Sequence, residues 1–166
     1  MTKTIISCDP GHKGALAALT ADGQLIDVID MPIFKINKKT YIDVRCIANF
    51  LDKYEPDLIV TEDVHSQSSD SKQSVFTFGY NTGALESSLA AWAKNRCQIE
   101  YLSPQRWKRS TGMIGKSKKA PTQRCIEIYG PDPFTGPRGG LLDGRGDAVM
   151  IGLATIKLNI NGVRDE

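Results

Sequence analysis

The sequence predicts an α/β fold: a five-stranded mixed sheet, three antiparallel strands then two parallel ones, with helices on both faces. Three observations carry that expectation. Two short apolar runs flank Ala21-Asp22-Gly23, and Asp-Gly between apolar runs marks a hairpin. Farther on, a stretch with helical spacing precedes a strand-length apolar run, the pattern of a parallel βα unit. Finally, Leu142–Leu158 is apolar on nearly every face from Ala148 onward, the mark of a buried helix.

Taken in order, Thr4–Cys8 is a short apolar strand that reaches Asp9 and is broken by Pro10-Gly11. Gly14–Leu19 and Leu25–Ile29 complete an antiparallel meander around the Asp22-Gly23 turn. Lys35–Lys39 reads as a polar connection. Ile42, Cys46, Ile47, Phe50 and Leu51 then give helical spacing over Tyr41–Tyr54, which Pro56 ends. Leu58–Val60 is a buried strand running into Thr61-Glu62-Asp63. Ser66–Ser74 is a polar loop. Val75–Lys94 is a long helix with an apolar stripe of Phe78, Leu85, Leu89 and Trp92; Gly79 and Gly83 leave room for a neighbouring element. A strand at Gln98–Leu102, short helices at Gln105–Arg109 and Pro121–Tyr129, and an irregular Pro131–Gly140 loop lead to the last helix. No linker or internal repeat divides the chain, so residues 1–166 are expected to form one domain.

Composition narrows the function class. No apolar run is long enough to span a bilayer, so no membrane partner is expected. Met1–Lys3 leads straight into the first strand, so no signal peptide is expected and the cytoplasm is the expected compartment, bacterial or, for a phage-borne chain, that of the host. Cys8, Cys46, Cys97 and Cys125 contain no Cys-x-x-Cys pair; each reads as a small buried hydrophobe, which argues against a zinc site. Charge is unevenly placed. Pro104–Arg124 holds seven basic residues (Arg106, Lys108, Arg109, Lys116, Lys118, Lys119, Arg124) and no acid; the other fourteen of the 21 basic residues face 19 acidic ones, a net of −5 for the rest. Such a stretch is a footprint for a polyanion or else a solvated surface run.

The carboxylates carry the chemistry. Asp9 and Glu62 each close a strand, and the carboxyl edge of an open α/β sheet is where sites are built. Asp143 and Asp147 are four apart, on one helical face at the mouth of the last helix. They either cap that helix and answer its dipole or hold a metal. If the helix mouth packs over the sheet edge, four carboxylates converge, and like charges so placed need cations. Hard oxygen ligands select Mg²⁺ or Mn²⁺, and two such ions about 4 Å apart suit phosphodiester hydrolysis. Gly115-Lys116-Ser117 is not a phosphate-binding P-loop, because Ser110 stands where that motif needs glycine. An actin- or sugar-kinase-like ATPase would need a second domain of this type, so no nucleotide cofactor is expected.

In order and spacing, Asp9-Pro10-Gly11 with Gly14, Glu62, Gly79 and Gly83, Ser103-Pro104-Gln105 with Trp107-Lys108, Gly112 and Gly115 with Lys118-Lys119, and Asp143…Asp147-Ala148 resemble the RuvC family of Holliday junction resolvases. That resemblance runs from Ile5 to about Leu158. It implies an RNase H-like fold and a magnesium-dependent endonuclease that resolves four-way DNA junctions by paired nicks. Asp9, Glu62, Asp143 and Asp147 match the family's metal ligands. Lys108 and Lys119 match basic positions that meet the DNA or the scissile phosphate, which makes Lys119 a catalytic candidate. His65 falls where members carry an aromatic residue at the junction centre. Arg106, Lys108, Arg109, Lys116, Lys118 and Lys119 would meet phosphates. Trp107 would stack on a base or anchor its helix, and His12 would stand behind the site or face solvent. The family forms homodimers, with the helix of Phe78, Gly79 and Gly83 as the matching contact. The chain departs from many members in spacing its last two acids four apart rather than three. Branched-DNA binding without catalysis, or a less selective nuclease of the same fold, are the alternatives.

Overall fold

The computed structural model describes residues 2–65 and 71–163. Five strands, β1 (Thr4–Asp9), β2 (Ala15–Thr20), β3 (Leu25–Asp30), β6 (Leu58–Glu62) and β7 (Gln98–Leu102), form a sheet in the order β3-β2-β1-β6-β7. β1 pairs antiparallel with β2 and parallel with β6, and β7 extends the parallel side. The expected mixed sheet is therefore present, with the meander on one side and the parallel pair on the other.

Strand parity decides which helices cover which face. Successive side chains point to opposite faces of a sheet. Ile6, Cys8 and Ile59 join one core with α1 (Val44–Tyr54) and α2 (Lys72–Ala93). Ile5, Leu58 and Val60 join the other, against α3 (Pro104–Thr111), α4 (Ala120–Tyr129) and α5 (Asp143–Lys157). Ser7 follows the same parity: its hydroxyl donates to the Ala148 carbonyl at 2.7 Å, tying β1 to α5 in the dry interior. Asp9 and Glu62 continue these series at the ends of their strands, so both fall on the α5 side.

α5 is nearly continuous core, from Gly146 through Ile156. It lies close to the sheet because glycines face its neighbours. A Cβ on Gly152 would stand 2.6 Å from Leu19 Cδ1 on β2 and 2.8 Å from Ser7 Oγ on β1, one on Gly144 would stand 2.1 Å from the Lys13 carbonyl, and one on Gly146 would stand 2.6 Å from Thr122 Cα on α4. Arg145 fastens the helix start sideways, donating to Asp30 at 2.7 Å and to the Pro133 carbonyl at 2.9 Å.

Four sequence expectations are corrected. Lys35–Lys39 is not a polar connection: β4 (Ile33–Ile36) and β5 (Lys39–Ile42) pair as a second, two-stranded sheet. Asn37 and Lys38 have positive φ of 47° and 67°, the backbone of a tight hairpin turn made without glycine, and this hid it. Tyr41 and Ile42 belong to that hairpin, so α1 begins at Val44, with Asp43 accepting from the Arg45 and Cys46 amides as its cap. α2 begins at Lys72 rather than Val75, because the Ser71 hydroxyl caps it by accepting from the Ser74 amide at 3.1 Å; the rest of the expected polar loop, residues 66–70, lies outside the described residues. Finally, Cys8 and Cys125 are buried but Cys97 is only half-buried and Cys46 is exposed, on the outer face of α1.

The Gly146 contact gives a direct test. Gly146→Ala should lower stability by about 2 kcal/mol through overpacking against the α4 backbone, read as a fall of roughly 4–8 °C in thermal unfolding. An unchanged midpoint would mean that α5 does not lie this close to α4.

Candidate metal and nucleic-acid site

Asp9, at the end of β1, and Asp143 and Asp147, on one face of α5, line a cleft of about 960 Å³ together with the Pro10–Gly14 turn, Asp30, Lys118 and Gly144. Glu62 ends β6 beside them; Cys8 and Thr61 are the last register partners, so Asp9 and Glu62 are the next residues on adjacent strands. The four acids singled out from sequence thus meet at one edge of the sheet. Asp143 is the first residue of α5 but does not cap it: the cap position is Leu142, with no side-chain bond to the helix. Instead Asp143 Oδ1 is buried without a hydrogen-bond partner among the described residues.

Electrostatics record the crowding. Burial, then the charges of Asp147 and Glu62, hold the Asp9 carboxyl well above its usual range, while Lys118 and Lys108 pull it down. Asp147 is pushed up to about 6, by burial first, then by Glu62 and, more weakly, by Asp143; Lys108 and Lys118 again oppose the rise. Burial raises Glu62 as well, partly offset by a hydrogen bond from Trp107 and by the Lys108 charge. Carboxylates that suppress one another's ionisation are short of positive charge.

The all-oxygen donor set, the orphaned Asp143 oxygen and this mutual suppression fit a hard divalent cation. Among the described residues no three such side chains are already drawn together as a metal cage. Asp9, Glu62, Asp143 and Asp147 are the residues that would close on an ion.

The basic stretch divides into two groups. Lys108, Lys116 and Lys118 line a small cavity of about 170 Å³ that also touches Asp147. Lys119 occupies the cap position of α4 and is exposed, and it lines neither cavity; Lys118 is the lysine that faces the carboxylates. Arg106 and Arg109 are exposed on α3, outside both cavities. His65 is exposed and lies 3.6 Å from Asp63, away from the cleft lining. The sequence reading left Trp107 between base stacking and anchoring. It is 1% exposed, which rules out stacking, and its indole N–H donates to Glu62 Oε1 at 2.6 Å. Trp107 therefore aims Glu62, a role missed in the sequence because its spacing from Glu62 carries no local signal. Lys108 Nζ lies over the Trp107 ring, 5.2 Å from its centroid. His12 lines the cleft, with its Nε2 buried and, among the described residues, unpartnered.

No protein-family model and no curated protein matches the chain. Solved structures do. A Thermus thermophilus RuvC in complex with a Holliday junction substrate superposes with a TM-score of 0.61 at 12% identity, covering 96% of this chain and 97% of that one. The yeast mitochondrial Holliday junction resolvase gives 0.62 at 15% identity over 94% and 78%. The fowlpox virus resolvase with its junction DNA gives 0.53 at 19% identity over 93% and 99%. The RuvC-type, RNase H-like fold spans nearly the whole chain.

The raised carboxyls predict a pH dependence. The folded-state pKa of Asp147 lies above its ordinary value, so the folded chain binds more protons between about pH 4 and 6, and stability falls as pH rises through that window. In EDTA at pH 8, Asp147→Asn should therefore be more stable than the wild type by about 1–3 kcal/mol, with the gap closing towards pH 4. Thermal unfolding across that range reads it; a variant less stable at pH 8 would show that these carboxylates do not repel one another.

Proposed function

We propose that this chain is a divalent-cation-dependent endonuclease that cuts four-way DNA junctions, acting as a homodimer with paired nicks. The observation that carries the reading is the convergence of Asp9, Asp143 and Asp147 on one cleft, with Glu62 at the end of the adjacent strand and basic residues on its flank. The likeness in fold to junction resolvases supports the choice of substrate. A two-fold symmetric junction is matched by a two-fold symmetric protein. The face of α2 that holds Gly79 and Gly83 supports the dimer, since both glycines are exposed and, among the described residues, nothing is packed on them.

Bound Mg²⁺ or Mn²⁺ would supply the activation of water and the stabilisation of the leaving oxygen that phosphodiester hydrolysis needs. The chain's own residues do the rest. Asp9 and Asp147 line the cleft from two different elements, β1 and α5. Trp107 fixes one oxygen of Glu62, leaving the other free to ligate. Lys108 and Lys118 oppose the rise that burial and the neighbouring charges impose on the Asp9 and Asp147 carboxyls, and Lys118 lines the cleft where a phosphate would enter. Arg106, Arg109, Lys116 and Lys119 extend the positive surface along the backbone of the DNA.

A synthetic immobile junction and a matched linear duplex, each with Mg²⁺ and with EDTA, test the reading. Symmetric, Mg²⁺-dependent nicks on the junction are expected, with Asp9→Asn retaining junction binding but losing cleavage by roughly a hundredfold or more. Lys118→Ala should slow cutting more than Lys119→Ala. Binding without cleavage in the wild type would reassign the chain as a branched-DNA-binding module, and equal nicking of the duplex would remove the junction selectivity.

A further inference from the structure

The loop between α3 and α4 carries one side chain that neither the carboxylates nor the core uses. Residues 104–126 include no acid, and Ile114 is the one large hydrophobic residue exposed among them, at 52%. A hydrophobic side chain standing singly on a surface is ordinary; the placement of this one is not. The backbone around it is tied down. The Met113 amide donates to the Lys108 carbonyl at 2.7 Å, and the Lys116 amide donates to the Met113 carbonyl at 3.2 Å. The second bond closes a turn with Ile114 at its second position. Gly115, at the third, has a φ of 69°, a conformation that favours glycine. Met113 packs against the core, and Ile114 stands out beside it.

The turn is joined to the carboxylate site. Ile114 lines the cavity of about 170 Å³ that Lys108, Lys116 and Lys118 share with Asp147. An aliphatic side chain therefore sits among three lysines, next to an acid of the cleft. Lysines there answer phosphates; an aliphatic side chain does not. On a duplex, the apolar surface that lies between two rows of phosphates is the base stack, reached through a groove. The minor groove is about 6 Å wide, so lysines on either side of one inserted side chain come within reach of both its rims.

We propose that Ile114 is a wedge: it enters the minor groove of a DNA arm beside the carboxylate cleft and opens one base step there. Apolar side chains inserted in this way partly unstack a step and kink the duplex. Lys108, Lys116 and Lys118 hold the flanking backbone while the kink brings the phosphate at that step towards Asp147. Pyrimidine–purine steps unstack most easily, so they are cut in preference, and Ile114 is a specificity-determining residue. The inference rests on the DNA-cutting reading and deepens it, but the unstacking is read without cleavage.

The test uses the full chain in EDTA, where nothing is cut, with four-way junctions that carry a single 2-aminopurine moved base by base along one arm. Binding of the wild type should raise the 2-aminopurine fluorescence at one step, as an unstacked base does. Ile114→Ala should bind the junction within about twofold of the wild type, because the lysines carry the affinity, yet lose that rise. Ile114→Leu should restore it. Ile128→Ala, an exposed isoleucine on α4 outside the cavity, should change nothing. With Mg²⁺, Ile114→Ala should lower kcat roughly tenfold with KM little changed, and erase the preference for pyrimidine–purine steps. No rise at any step with the wild type bound, or a rise that persists in Ile114→Ala, overturns the proposal. So does a lost rise accompanied by a lower unfolding midpoint that Ile114→Leu does not repair, because Ile114 would then be holding the loop. Junction nicking measured in parallel separates the two readings. A rise that depends on Ile114 without Mg²⁺-dependent nicking removes the nuclease and keeps the wedge. Nicking without a rise removes the wedge and keeps the nuclease, and a chain that does not bind the junction loses both.

Discussion

The close approach of α5 to the β1–β2 side of the sheet is the constraint on which the rest depends. A side chain at Gly144 would collide with the Lys13 and Gly14 backbone, and one at Gly152 with Leu19 and Ser7 of the sheet. Without side chains there, the mouth of α5 comes down over the turn that follows Asp9, and Asp143 and Asp147 arrive where the strand ends. Ser7, bonded to the Ala148 carbonyl, and Arg145, bonded to Asp30 and Pro133, fix the helix along and across the sheet. The apolar remainder of α5 supplies the burial that holds it down. The chemistry at its first turn is thus set by packing two turns farther on.

That packing has an electrostatic cost. Asp9, Glu62 and Asp147 are all held above their usual carboxylate range, and burial is the first cause for each. Lys108 and Lys118 reduce the strain without cancelling it, and the Trp107 indole satisfies one oxygen of Glu62. A fold built for stability alone would not gather these groups, because an unneutralised cluster of carboxylates opposes folding as pH rises. Strain of this kind at the carboxyl edge of a sheet is what the proposed cation would relieve.

Much of this was legible in the residues. The Asp22-Gly23 turn, the apolar runs around it and the all-apolar last helix specify the meander and the buried helix locally. The four acids were findable because each sits at a punctuation point, a strand end or a helix start. What was not legible depended on distance. Trp107 and Glu62 are 45 residues apart, and their hydrogen bond follows only once α3 is laid over β6. Lys118 and Lys119 are indistinguishable by type and neighbours; the start of α4 turns one towards the cleft and the other to solvent. The hairpin was hidden because Ile33, Phe34 and Ile36 are exposed and show no alternation, and because its turn uses Asn37-Lys38 instead of a glycine pair.

The most direct test of the account is where a cation binds. Crystals of the wild-type chain grown with Mn²⁺ should show anomalous density in the cleft bounded by Asp9, Glu62 and Asp147, with Asp143 turned towards it. Density elsewhere on the surface, or an empty cleft at millimolar Mn²⁺, would contradict the claim that α5 is pressed against the sheet to build a metal site.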